Sequence, residues 1–290
     1  QGIVTRDSLM ETGYEPVGGS RGYELFTEIP PEEVARKAIS RALTTLRARR
    51  APAGPMPVVL SSEAGGTMIH EAIGHGLEAD LAGEGLSVYS GKLGQQVASH
   101  AITVIDDGSI RGLRGSMGCD DEGSPTQRSV LVDKGVLTGF MTDLLSARKY
   151  GLPLTGNARR ESYRHRPVPR MTNTMIQPGS LDPGEVVKKA ARGIFVKKMG
   201  GGQVNTVTGD FVFNISEGYL IENGSVGEPV RGATLIGNGP KVLSSIELVG
   251  NDLGFGIGTC GKDGQGVPVA DAQPTLLIPE ITVGGEIRND

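Results

Sequence analysis

Four histidines occur in the chain, at positions 70, 75, 100 and 165, and two of them bracket one segment, His70-Glu71-Ala72-Ile73-Gly74-His75, with Glu78 and Asp80 close behind. Imidazole is the commonest metal-ligating side chain. A glutamate directly after a ligating histidine is placed to act as a general base beside a metal. In the familiar His-Glu-x-x-His arrangement the imidazoles lie four residues apart and share a helix face. Here the spacing is five, which on a regular α-helix separates the two rings by about 140°. One metal can serve both only if the helix is locally wider. A π-turn closes i to i+5 and is common at functional sites, and Gly74 and Gly76 lower the cost of that distortion. The competing reading is a pair of ordinary core or surface histidines.

Two imidazoles do not hold a catalytic zinc; a third protein ligand is needed, with water in the fourth position. Spacing leaves Glu78, Asp80, His100, Cys119 and Cys260 all open as candidates. Cys260 sits in Gly258-Thr259-Cys260-Gly261-Lys262-Asp263-Gly264-Gln265-Gly266, a glycine-rich loop that can bring a thiol close to a ligand. A thiolate suits zinc; a buried thiol in a tight turn is the alternative. With two cysteines there is no disulfide framework. Tyr163, His165, Arg159 and Arg160 lie in a polar stretch, 157–166, that can supply an oxyanion donor or simply be a solvated loop, and spacing selects none of them.

The elements that must position these residues follow from pattern. Pro30-Pro31-Glu32-Glu33 opens a helix carrying Ala35, Ala38, Ile39, Ala42, Leu43 and Leu46 at helical spacing. Residues 51–57 read as a linker, Val58–Leu60 as a short buried strand, and 66–80 as the helix bearing the histidines. From 102 onward strands dominate, with hairpin signals at Asp133-Lys134-Gly135 and Glu222-Asn223-Gly224. Short helices are expected at 144–150 and 183–192, and a strand near Tyr23–Phe26. The strands between Gln203 and Tyr219, interrupted by glycine, are expected to offer an edge to an extended peptide or to form a sheet interior. The expected architecture is α+β, mostly antiparallel sheet with a few helices, the histidine motif lying on a helix packed against the sheet. An arm and amphipathic helix (1–50) precede a β-rich domain (51–290).

Composition sets limits. Lys plus Arg is 29 and Asp plus Glu is 33, a net charge of −4. No basic excess is present to neutralise phosphates, which disfavours nucleic acid as the main partner. Gly (45) and Pro (17) favour turns and bulges over long helices. No apolar run approaches a membrane span and the N-terminus shows no signal-peptide pattern, so a cytoplasmic protein is expected. The missing initiator Met suggests a trimmed chain or a fragment.

Seven blocks together resemble one family: His70–Asp80, DDEGSPTQR at 120–128, TGNARRESYRH at 155–165, PRMTNT at 169–174, GGGQV at 200–204, GATLIGNGP at 232–240 and GTCGKDGQGVPV at 258–269. They look like the TldD/PmbA (modulator of DNA gyrase) family, in its TldD branch, and they run in family order along essentially the whole chain. The resemblance implies a zinc metallopeptidase in which His70, His75 and Cys260 bind Zn2+ and Glu71 is the general base. It implies small or unfolded peptides as substrate, and a paralogous TldE/PmbA-type subunit or a second copy as partner. The resemblance also implies a further N-terminal α/β domain, which this chain is expected to lack or to have lost. Cys119 matches no ligand position of the family. Two other classes stay open: a non-catalytic regulatory or binding subunit with a structural zinc, and a metal-dependent amidohydrolase in a biosynthetic pathway.

Overall fold

A computed structural model describes residues 1–285. Two sheets organise them. In the larger, the strands Gly193–Val204, Gly54–Leu60, Leu276–Gly284, Thr234–Asn238 and Asp210–Glu222 follow one another, and Asp210–Glu222 pairs back onto Gly193–Val204, closing a five-stave barrel. The smaller sheet runs Gly254–Lys262, Gln265–Gln273, Asn173–Ile176, Val104–Asp107, Arg128–Asp133, Val136–Leu137.

Most strand pairings are antiparallel, as expected, but both sheets are mixed. Gly193–Val204 runs parallel to Gly54–Leu60, and Asn173–Ile176 runs parallel to Gln265–Gln273. Both pairings join segments far apart in sequence, so no hairpin turn marks them. The 51–57 linker is also corrected, because Gly54-Pro55-Met56-Pro57 belongs to a strand. Proline lacks a ladder donor and is tolerated at irregularities. Pro57 lies between Met56 and Val58, where the register to Leu276–Gly284 slips.

Near the N-terminus, the strands Gly2–Arg6 and Leu9–Gly13 form a hairpin against the helix Pro31–Arg47. A Cβ on Gly13 would fall 1.8 Å from the Ala38 carbonyl oxygen, so only glycine permits that approach. The strand expected near Tyr23–Phe26 is instead a helical turn, Leu25–Glu28, preceded by a Gly22 N–H bond to the Glu24 carboxylate. Helices at Leu144–Tyr150 and Pro183–Ala190 lie where pattern places them, each entered from a capping aspartate, Asp143 and Asp182.

The histidine segment is not one helix over 66–80. It runs as α (Thr67–Ile69), π (His70–Gly74), 3-10 (His75–Leu77) and, after an extended Glu78, α again (Ala79–Gly83). The break at Glu78 coincides with a bridge to Met141, whose carbonyl takes the Ala79 N–H. The segment is wedged deep in the core. Gly66 donates to the Asp271 carbonyl at 3.0 Å, and a Cβ there would meet Ala272 N at 2.4 Å. Gly74 sits on the Met171 sulfur and Gly76 on the Tyr89 ring, and the Tyr89 hydroxyl donates to the Ala72 carbonyl at 2.9 Å. No helix among the described residues is long and apolar enough to cross a membrane.

Candidate metal centre

Widening the turn to five residues lets His70 and His75 converge. Their ring centroids are 4.9 Å apart with planes at 85°. The third member of the cluster is Cys260, which lies within the strand Gly254–Lys262 and not at a loop tip; the tip is Asp263-Gly264, where both residues adopt positive φ. On that strand alternate residues face opposite ways, and Cys260 is buried between exposed Thr259 and Gly261. Ligand atoms of His70, His75 and Cys260 all lie within 4.8 Å of one another. The Cys260 Sγ to His75 Nε2 distance is 3.6 Å. Zn–S of about 2.3 Å and Zn–N of about 2.0–2.1 Å at a tetrahedral angle give about 3.5 Å for that edge, so the donors fit zinc.

Each imidazole is oriented through its other nitrogen. His70 Nδ1 lies 3.0 Å from Asp271 Oδ2, and His75 Nδ1 lies 3.1 Å from Glu78 Oε2. Carboxylates in this position fix the tautomer so that Nε2 faces the ion and is more basic. Burial opposes charge on all three groups, yet their neighbours outweigh it. Glu78 and the Cys260 sulfur hold His75 up at about 10, Asp271 raises His70, and the two imidazoles pull the Cys260 thiol down to about 6. A thiolate is the state that binds metal.

Glu71 is half-buried and faces the same space. With His70, His75, Val204, Thr206, Thr259 and Cys260 it lines a cleft of ≈ 270 Å³. A second hollow, bounded by His70, Glu71, Gly256, Thr259 and Asp271, adjoins it.

The other sequence candidates serve elsewhere. Glu78 is a partner of His75, Asp80 binds Lys262, and His100 and Cys119 are exposed and outside the three-donor group. Arg159 spends both terminal nitrogens on the carbonyls of Met171 and Pro268. Arg160 pairs with Asp121, Tyr163 accepts from Arg164, and His165 bonds Ser162. None of the four is aimed into the cleft as an oxyanion donor. The edge expected over Gln203–Tyr219 is corrected as well. The strand Asp210–Glu222 is paired on both sides, and Val207 lies in the turn leading to it. Along 198–204 of the neighbouring strand, the side away from Asp210–Glu222 has no strand partner among the described residues, since pairing with Gly54–Leu60 stops at Val196.

Asp271 and Lys262 were not singled out by sequence reasoning. Asp271 had one signal, a lone carboxylate between Ala270 and Ala272 on a strand otherwise poor in charge.

Comparison with known proteins decides the family. The PmbA/TldA metallopeptidase C-terminal domain matches residues 53–285. The chain belongs to this metallopeptidase family. It is 46% identical over 290 residues to the metalloprotease TldD homolog of Haemophilus influenzae, covering 98% of this chain and 60% of that protein. It is 33% identical to the zinc metalloprotease TldD homolog of Saccharolobus solfataricus, covering 98% of this chain and 64% of the relative. The chain thus spans about 60% of the length of such relatives. Among solved structures, a Thermotoga maritima protein described as a modulator of a DNA gyrase superposes with a TM-score of 0.78 at 28% identity, covering 97% of this chain and 60% of that one. TldE from Thermococcus kodakarensis shares the fold at a TM-score of 0.75 and 20% identity, covering 98% and 61%.

Proposed function

We propose that the chain carries the catalytic centre of a zinc-dependent peptidase, with His70, His75 and Cys260 as metal ligands and Glu71 as general base. The observation that carries this is the convergence of two carboxylate-oriented Nε2 atoms and one thiol beside an open cleft that also holds Glu71. His70, His75 and Cys260 would hold the zinc, which when bound would supply a Lewis acid to a peptide carbonyl and an acidified water with a pKa of about 7. To hold the ion, His70 and His75 would give up the Nε2 protons that their raised pKa values keep in the metal-free site, and each would retain its Nδ1 hydrogen bond to Asp271 or Glu78. The Glu71 carboxylate takes a proton from the attacking water and delivers it to the leaving amine nitrogen. The open side of residues 198–204 adjoins the cleft at Val204 and suits an extended peptide read through its main chain. Small or unfolded peptides are therefore the substrate class, and a related subunit or a second copy is the proposed partner.

Glu71→Gln separates binding from chemistry. The variant is expected to retain zinc by metal analysis and to lose hydrolysis of a generic unfolded protein, by roughly the 10²–10⁴-fold that a positioned general base contributes. Equal cleavage by both proteins removes Glu71 from the mechanism.

A further inference from the structure

Lys262 stands two residues beyond Cys260 on the same strand, hence on the same face. Its side chain is 6% exposed, and its ammonium hydrogen-bonds Asp80 Oδ1 at 2.7 Å and the Pro169 carbonyl at 3.0 Å and forms an ion pair with Glu78 Oε2 at 3.1 Å. Glu78 is fully buried and is the carboxylate that orients His75. A buried ammonium is tolerated only when paired and hydrogen-bonded, and here the pairing joins two separate pieces of chain. One piece is the hairpin that carries the sulfur; the other is the segment 75–80 that carries the second imidazole and its carboxylate.

We infer that Lys262 is a positioning residue for the metal centre, bridging the Cys260 hairpin to the His75–Glu78–Asp80 segment so that the donor set is assembled before the ion arrives. The inference rests on the ligand set proposed above. On the His70 side no ammonium takes this part: Asp271, on the other strand of the hairpin, bonds His70 directly, and its Oδ1 has no hydrogen-bond partner among the described residues. Removing the ammonium frees Glu78 to turn from His75, and the His75 half of the site loses its anchor to the hairpin. Lys262 makes no step of the reaction; its effect reaches the ion through Glu78.

The test uses cobalt(II) as a spectroscopic stand-in for zinc, with chelator competition for affinity, on the full chain. Wild type is expected to give the intense visible bands of a tetrahedral site with a sulfur-to-metal charge-transfer band. Lys262→Met is expected to bind 10–100-fold more weakly, the range for loss of an outer-shell partner, with altered band intensities. Glu78→Gln is expected to weaken binding similarly, and the double variant to lose little more than either single one, because coupled residues are non-additive. Thermal melting of the metal-free proteins verifies the fold, and Lys262→Arg, which keeps the charge, is expected to recover part of the affinity in a folded background. Unchanged affinity and spectrum in Lys262→Met, or fully additive losses, overturn the inference while leaving the ligand set standing. A wild type whose cobalt spectrum lacks the sulfur band overturns both.

Discussion

Both imidazoles of the cluster are held by a carboxylate on Nδ1, but the two holds differ. Glu78 is three residues from His75 and local, whereas Asp271 reaches His70 from a strand about two hundred positions away. Asp271 therefore ties the position of the imidazole to the docking of the strand Gln265–Gln273. Asp271→Asn keeps the shape but removes the charge that makes Nε2 a better donor. Zinc affinity is expected to fall 10–100-fold, read by competition with a chelator of known affinity; a fall of under twofold would leave Asp271 without a role at the metal. At this scale the sequence was legible in the His-Glu-x-x-x-His spacing, because five residues can converge only over a widened turn and the structure has a π-turn at His70–Gly74. Cys260 could not be chosen from spacing, since the segments between the two halves give no measure of distance. Glu78 was visible as a candidate ligand; that it orients the His75 imidazole depends on the backbone turning extended at that residue.

Among the elements, helices with caps and proline starts were legible from local chemistry, whereas the parallel pairings and the barrel closure were not. Those depend on contacts such as Ile194 with Val58, which no turn residue announces. Glycine-rich stretches misled in one direction. Gly200-Gly201-Gly202 reads as a break between strands, but it lies inside one twelve-residue strand whose register slips there. The helix Pro31–Arg47 is fastened to the barrel through Arg41, which donates to Glu217 at 2.9 Å and also pairs with Glu15. Lys197 and the Tyr219 hydroxyl complete the set around Glu217. Burial would raise this carboxyl, but Tyr219, Lys197 and Arg41 outweigh it and hold it below the usual carboxylate value. A depressed folded pKa contributes stability that is present above the unfolded value and lost as pH falls through the folded one. Melting temperature is thus expected to fall on acidification below about pH 4.5. Glu217→Gln is expected to cost about 1.5–3 kcal/mol at neutral pH and to flatten that acid slope. An equally steep slope in the variant would place the acid-sensitive group elsewhere.

Across the whole molecule, the proposed ligands are drawn from both ends of the described chain, with His75 and Cys260 separated by 185 positions. The histidine segment lies between the barrel and the smaller sheet: Gly66 abuts Asp271 and Ala272 of the latter, and Ala72 packs against Gly239, which opens the helix following the barrel strand Thr234–Asn238. A bound ion would therefore cross-link segments that only the folded chain brings together, and its binding free energy becomes stabilisation of the fold. At zinc a hundredfold above its dissociation constant the gain is about 2.7 kcal/mol. With about 2–4 °C per kcal/mol for domains approaching this size, chelation should lower the melting temperature by roughly 5–10 °C. The size of the shift should grow with the logarithm of zinc concentration. Calorimetry with and without chelator reads it directly. Cys260→Ala is expected to melt at one temperature in both conditions, because two imidazoles alone hold the ion weakly. A wild-type protein whose melting is indifferent to chelator would mean that no ion joins these segments, and the three donors would then be a buried hydrogen-bonded cluster of the core.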